Sequence, residues 1–134
     1  MEEGINMGRK CPWSKNYLKS LYQNLNSYCE KVTLQTFVSD GPKVASKMMV
    51  AYTMFKFPVV YLYIHYHYGT FEDLGMQGGE ISSYMTYLPA VKHFTQGMRD
   101  GMLEENVFSL DKENALSSAL IEICKEVIYI EENY

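Results

Sequence analysis

Between Ser14 and Thr33 the apolar residues return every three or four positions: Leu18, Leu21, Tyr22, Leu25, Tyr28, Cys29 and Val32. That spacing lays one continuous apolar stripe along a helix. The two-residue alternation of a half-buried strand is nearly absent from the whole sequence. A chain patterned this way has one route to a core, which is packing helix against helix. The expected fold class is all-α, a helical bundle of about five helices. Residues 1–13 read as an N-terminal tail and 14–134 as one domain.

Ser14 suits the N-cap of the first predicted helix, which covers about Ser14 to Thr33. The second is expected to begin after Asp40-Gly41-Pro42, with Asp40 as cap and Pro42 in the first turn, where a missing N–H does no harm. Its inward face is read as Val44, Met48, Ala51, Tyr52 and Phe55. Pro58 is expected to end or kink it. A short buried third helix would then run from Pro58 to Tyr68. Gly69, Gly75, Gly78 and Gly79 mark a mobile loop over residues 69–79. The fourth helix is placed at about Glu80 to Asp100, with a kink at Pro89 and Gly101 as its C-cap. The last runs from an Asp111 cap to about Glu131.

The last helix carries two adjoining stripes. Leu116, Ala119, Leu120, Ile123, Val127 and Ile130 form one, and Ile121, Cys124 and Ile128 form the other. A helix packed on one side needs a single stripe, so two imply burial on two sides. A second copy of the chain is the simplest second partner. The predicted dimer interface therefore joins Leu116, Leu120, Ile123 and Val127 to Phe94, Gly97 and Met98 of the preceding helix. The alternative makes this the central helix of a monomeric bundle.

With 134 residues, 47% of them apolar, the chain is long enough for one real core. Residues 1–68 carry 8 Lys/Arg against 4 Asp/Glu, and residues 69–134 carry 4 against 12, so a net +4 and a net −8 sum to the overall −4. The acidic half would repel phosphates, and the basic excess is scattered, which argues against a nucleic-acid patch. The stretch from Met48 to Tyr68 is mostly apolar, yet Lys56, Pro58, His65, His67 and several Tyr make it too polar to span a bilayer. Cys11, Cys29 and Cys124 form no CxxC and suggest free thiols in a reducing, cytoplasmic setting.

Catalytic patterns are scarce. His65 and His67 lie two apart, about 200° around a helix, and cannot grip one metal from the same segment. The segment from Gly75 to Gly79 is Gly-rich but follows no strand and precedes no Lys-Ser/Thr, so it does not fit a phosphate loop. No GxSxG-type turn is present. The expectation is a protein without cofactor or metal that is not an enzyme. The 12 Tyr, 6 Phe and 9 Met suit either a core or an adaptable pocket wall. The candidate pocket residues, each on the inward face of its predicted helix, are Tyr52, Phe55, Tyr63, His67, Tyr84 and Leu88.

Four pieces in order resemble the C-terminal ligand-binding and dimerisation domain of the tetracycline-repressor-like (TetR family) transcriptional regulators. Trp13-Ser14-Lys15-Asn16-Tyr17-Leu18 resembles the lead into the family's connecting helix. Asp40-Gly41-Pro42-Lys43 resembles the start of the next helix. Pro58, Tyr61, Tyr63, His67 and Tyr68 with Gly69-Thr70 are similar to the family's Pro-led aromatic segment. The segment from Gln96 to Leu103 resembles its Gly-x-x-x-Gly element. The resemblance covers about residue 13 to the end and implies a homodimer that senses a small apolar or aromatic ligand. The family's helix-turn-helix has no counterpart in the 13 residues ahead of Ser14, so direct DNA binding by this chain alone is not expected. Two other readings stay open: a small metal-binding protein or enzyme using His65, His67 and His93, and a purely structural interaction module.

Overall fold

In a computed structural model that describes residues 10–97 and 115–133, every regular element is helical, and no strand occurs among the described residues. The all-α expectation holds. The chain divides into helices differently from the sequence reading, however, and each difference has a local cause. Gly101 and Asp111, read as caps, lie outside the described residues, as does Met98 of the predicted interface.

The first helix, α1, covers Lys15–Asp40, and Ser14 caps it by accepting a hydrogen bond from the Tyr17 N–H at 3.1 Å. It continues well past Thr33, where the apolar stripe ends. Its last turns expose Leu34, Phe37 and Val38 at 68%, 54% and 86%. Nothing in those turns breaks a helix, so the backbone ladder propagates without burial. Gly41 stops it. Its φ of +92° is a conformation that side chains rarely adopt. The Gly41 N–H donates to the Phe37 carbonyl, and its own carbonyl accepts from the Ala45 N–H, both at 3.1 Å. One residue thus closes α1 and opens α2, and Asp40 belongs to α1 rather than capping the next helix. The inward residue at the start of α2 is Ala45, while Val44 is exposed.

The second helix, α2, covers Pro42–His67 without a break and contains Pro58 in its interior. The predicted third helix is therefore the second half of α2. Proline removes one backbone donor and crowds the turn before it, at a cost of about 3 kcal/mol. Packing offsets that cost here: Phe57, Val59, Val60, Leu62 and Tyr63 around it are all buried, each contributing about 1.5–3 kcal/mol. Each helix of the α1–α2 pair is about 39 Å long, at 1.5 Å per residue.

Tyr68 caps α2 in the left-handed region, and its N–H donates to the Ile64 carbonyl at 3.2 Å. The following segment, expected to be a mobile loop, is tied down. Thr70 and Asp73 bond each other's backbone N–H groups at 3.2 Å, and the Tyr63 hydroxyl donates to Asp73 at 3.3 Å. Glu72–Leu74 makes a single 3₁₀ turn, and Leu74 and Met76 are buried. The next helix, α3 (Gly78–Tyr87), begins with Glu80 reaching back to the Gln77 N–H at 3.2 Å. Pro89 does more than kink the predicted fourth helix. It sits in a 3₁₀ turn, Leu88–Ala90, which separates α3 from α4 (Val91–Gly97).

The last described helix, α5 (Ala115–Asn133), packs against α2 and α4. Leu120, Ile123, Val127 and Ile130 from one stripe are buried, and so are Cys124 and Ile128 from the other. Both stripes are thus used within the chain, with α2 and α4 as neighbours. Leu120, Ile123 and Val127 are enclosed by their own chain and present no surface to a second copy. Among the described residues no helix is long and apolar enough to cross a membrane.

Candidate ligand-binding cleft

The aromatic residues nominated as pocket walls lie in the core cluster. Tyr52, Phe55, Tyr63 and Tyr84 are all buried. Tyr52 packs edge-on to Tyr28 with ring centroids 5.5 Å apart and lies 5.7 Å from Phe55. Phe57 meets Tyr84 at 5.6 Å and Phe94 at 6.4 Å. Half-buried His67 is bonded through Nε2 to the Trp13 carbonyl at 3.1 Å, and Leu88 packs at the edge of the core. Of the remaining interface candidates, Phe94 and Leu116 are half-buried and Gly97 is exposed. His65 stacks on Tyr61 at 5.8 Å, and His93 is exposed on α4. Among the described residues no group of three or more His, Cys, Asp or Glu is arranged to hold a metal ion.

An open cleft of about 760 Å³ lies between α1, α2 and the start of α3. It is lined by Asn26, Cys29, Glu30, Thr33 and Leu34 of α1, Met49, Thr53 and Lys56 of α2, and Glu80 of α3. Its polar centre is Lys56, only 8% exposed. A buried ammonium must be paired, because its desolvation is costly. Lys56 Nζ donates to Asn26 Oδ1 at 2.7 Å and to Glu80 Oε2 at 3.4 Å, and it stands 5.6 Å from the centre of the Tyr22 ring. The Tyr22 hydroxyl donates to the same Glu80 oxygen at 3.2 Å. Glu80 therefore caps α3 with one oxygen and closes the Lys56–Tyr22 cluster with the other. A smaller recess of about 130 Å³, walled by Tyr22, Phe57, Val60 and Met76, shares Thr53, Lys56 and Glu80 with the cleft.

Cys29 forms part of the wall, and burial pushes its thiol above the ordinary value, although the Thr33 hydroxyl nearby opposes the shift. A protonated thiol is a poor nucleophile, so Cys29 serves as an apolar lining. The cleft thus offers an ammonium, an amide, two carboxylates, threonine hydroxyls and an apolar wall of Cys29, Met49 and Leu34. That mixture suits recognition of a small molecule.

No protein-family model, curated protein or solved structure matches this chain.

In the sequence Lys56 stands out only as a charge interrupting an apolar run. A lone Lys there is a usable signal for a buried, paired cation. Its partners Asn26 and Glu80 lie 30 and 24 positions away, beyond any helical periodicity.

The buried and half-buried phenols carry a pH signature. Tyr22, Tyr52, Tyr61, Tyr63 and Tyr84 are all raised above the ordinary value, first by burial. The charges of Glu80, Glu131 and Asp73 add to this at Tyr22, Tyr61 and Tyr63 respectively. A folded pKa raised above the unfolded value of about 10 contributes stability fully present below pH 10 and lost as pH rises beyond it. We expect alkaline unfolding to begin above about pH 10, and these phenols to ionise only as the helices melt. Phenolate absorbance followed beside far-UV circular dichroism checks this. Full ionisation of all the tyrosines with the helical signal intact would contradict it.

Proposed function

We propose that this chain is a small-molecule-sensing helical domain of the kind found in tetracycline-repressor-like regulators, with its ligand held in the cleft between α1, α2 and α3. The cleft carries the reading. It has the volume of a small-ligand site, about 300–1,000 Å³, and a buried lysine in an otherwise mixed wall. The sequence resemblance supplies the regulator context. It also supplies the pairing of two copies, for which Phe94, Gly97 and Leu116 remain the available residues on α4 and the start of α5. The domain acts without chemistry: it binds, and binding biases its packing. The aromatic core holds the helices in register and leaves recognition to the cleft.

A cleft-filling substitution tests the reading. Thr53 is half-buried and lines both the cleft and the recess. The neutral dye Nile red is expected to bind the wild type at one site, and Thr53→Trp to weaken that binding by at least about tenfold through loss of volume and burial. Absence of binding to the wild type, or equal binding to a folded Thr53→Trp variant, would overturn the proposal.

A further inference from the structure

The polar groups of the cleft are unequally spent. Glu80 already accepts three hydrogen bonds: one oxygen accepts from the Gln77 N–H, and the other accepts from both the Tyr22 hydroxyl and Lys56. Lys56 has a donor left. An ammonium has three N–H donors, and the described residues take two of them, one through a bond stretched to 3.4 Å. Lysine can only donate, so Asn26 must turn Oδ1 toward it, which leaves the Asn26 NH₂, one side of it toward the Tyr22 hydroxyl, as a second donor beside the ammonium. Both groups line the cleft, and Leu34 and Met49 supply its apolar wall. Glu30, the other charged group lining the cleft, is exposed to solvent, where water and salt screen it.

We propose that the cleft selects amphipathic carboxylates, seating the carboxylate on Lys56 and Asn26 and the apolar part along Leu34 and Met49. This rests on the cleft being the ligand site. The ligand competes with Glu80 for the ammonium. Because Glu80 also caps α3, capture of Lys56 by the ligand loosens the start of that helix, a direct path from occupancy to packing. A cationic ligand is repelled by the Lys56 ammonium, and the Glu80 oxygen nearest to it is already shared by Lys56 and the Tyr22 hydroxyl.

Displacement of Nile red by decanoate, decanol and decyltrimethylammonium, which share a tail and differ in charge, tests the assignment. Decanoate should bind the wild type about ten- to a hundredfold more tightly than decanol, as a charge-assisted hydrogen bond allows. Lys56→Met should erase that preference, with circular dichroism reporting whether the variant folds. Glu80→Gln keeps a side chain able to cap α3 and removes the competing charge, so it should bind decanoate about two- to fivefold more tightly. A purely structural role for Glu80 gives no such gain. Equal binding of decanol, or tighter binding of the cation, would overturn the carboxylate assignment and leave the cleft standing. If no amphiphile displaces the dye and Thr53→Trp leaves dye binding unchanged, the cleft reading fails and takes this one with it.

Discussion

Ile123→Lys is expected to unfold the chain at every protein concentration. Ile123 has no exposed surface and sits on α5 within the core cluster, with Leu120, Cys124 and Val127 beside it on the same helix. Removing the side chain alone costs about 2–5 kcal/mol by loss of transfer energy and creation of a cavity. Placing an ammonium there adds the desolvation of a charge that must find a partner or lose its proton. Since a domain of this size is stable by about 5–15 kcal/mol, the variant should lose most or all of its margin. Urea denaturation followed by circular dichroism reads the effect. The concentration dependence separates two origins: a residue essential only at an interface between copies would leave a folded monomer on dilution. A folded, monomeric Ile123→Lys chain would show that α5 is held less firmly than its burial implies.

Gly69→Ala should destabilise the protein by about 3 kcal/mol, the upper range for overpacking. Gly69 does not need its freedom of φ. It needs its missing side chain. A Cβ built there would lie 2.0 Å from Cε2 of the Tyr63 ring and within 2.7 Å of two more ring atoms. The ring cannot swing aside, because Tyr63 is fully buried and its hydroxyl is bonded to Asp73. Steric conflict with one identified side chain makes a double-mutant cycle decisive. Tyr63→Leu is itself destabilising, but in that background Gly69→Ala should cost less than about 1 kcal/mol, since the atoms it meets are gone. If the two costs simply add, the conflict lies with the backbone rather than with the Tyr63 ring.

These two sites differ in how far the sequence announces them. The three-to-four spacing of the apolar residues is enough to mark Ile123 as buried. Its partner is not marked: the doubled stripe argues for a second copy, yet α2 and α4 are the neighbours of α5 within the chain. Gly69 reads in the sequence as one of several loop glycines, and only the fold puts the Tyr63 ring against it. The nominated pocket shows the same division. Helical spacing puts Tyr52, Phe55, Tyr63 and Tyr84 on inward faces, and inward they are. An inward aromatic fills a core unless the surrounding helices leave a gap, and the cleft between α1, α2 and α3 is lined by other residues.

The sequence by itself determined the helical class, the Ser14 cap, the start of α2 at Pro42, and the apolar faces of α1 and α5. All of these are local properties, set by hydrogen bonds and side chains within about two turns of one another. Tertiary structure alone decided that α2 runs through Pro58, because the burial that offsets a proline comes from other helices. It decided that residues 69–79 are anchored, since Tyr63, Asp73, Leu74 and Met76 meet only after α2 is in place. It also made the cleft. Asn26, Lys56 and Glu80 are ordinary polar residues on three separate helices, and only antiparallel packing of α1 on α2, with α3 starting beside them, sets a buried ammonium between an amide and a carboxylate. Periodicity records which face of a helix avoids water, while the identity of what covers that face is a property of the assembled chain.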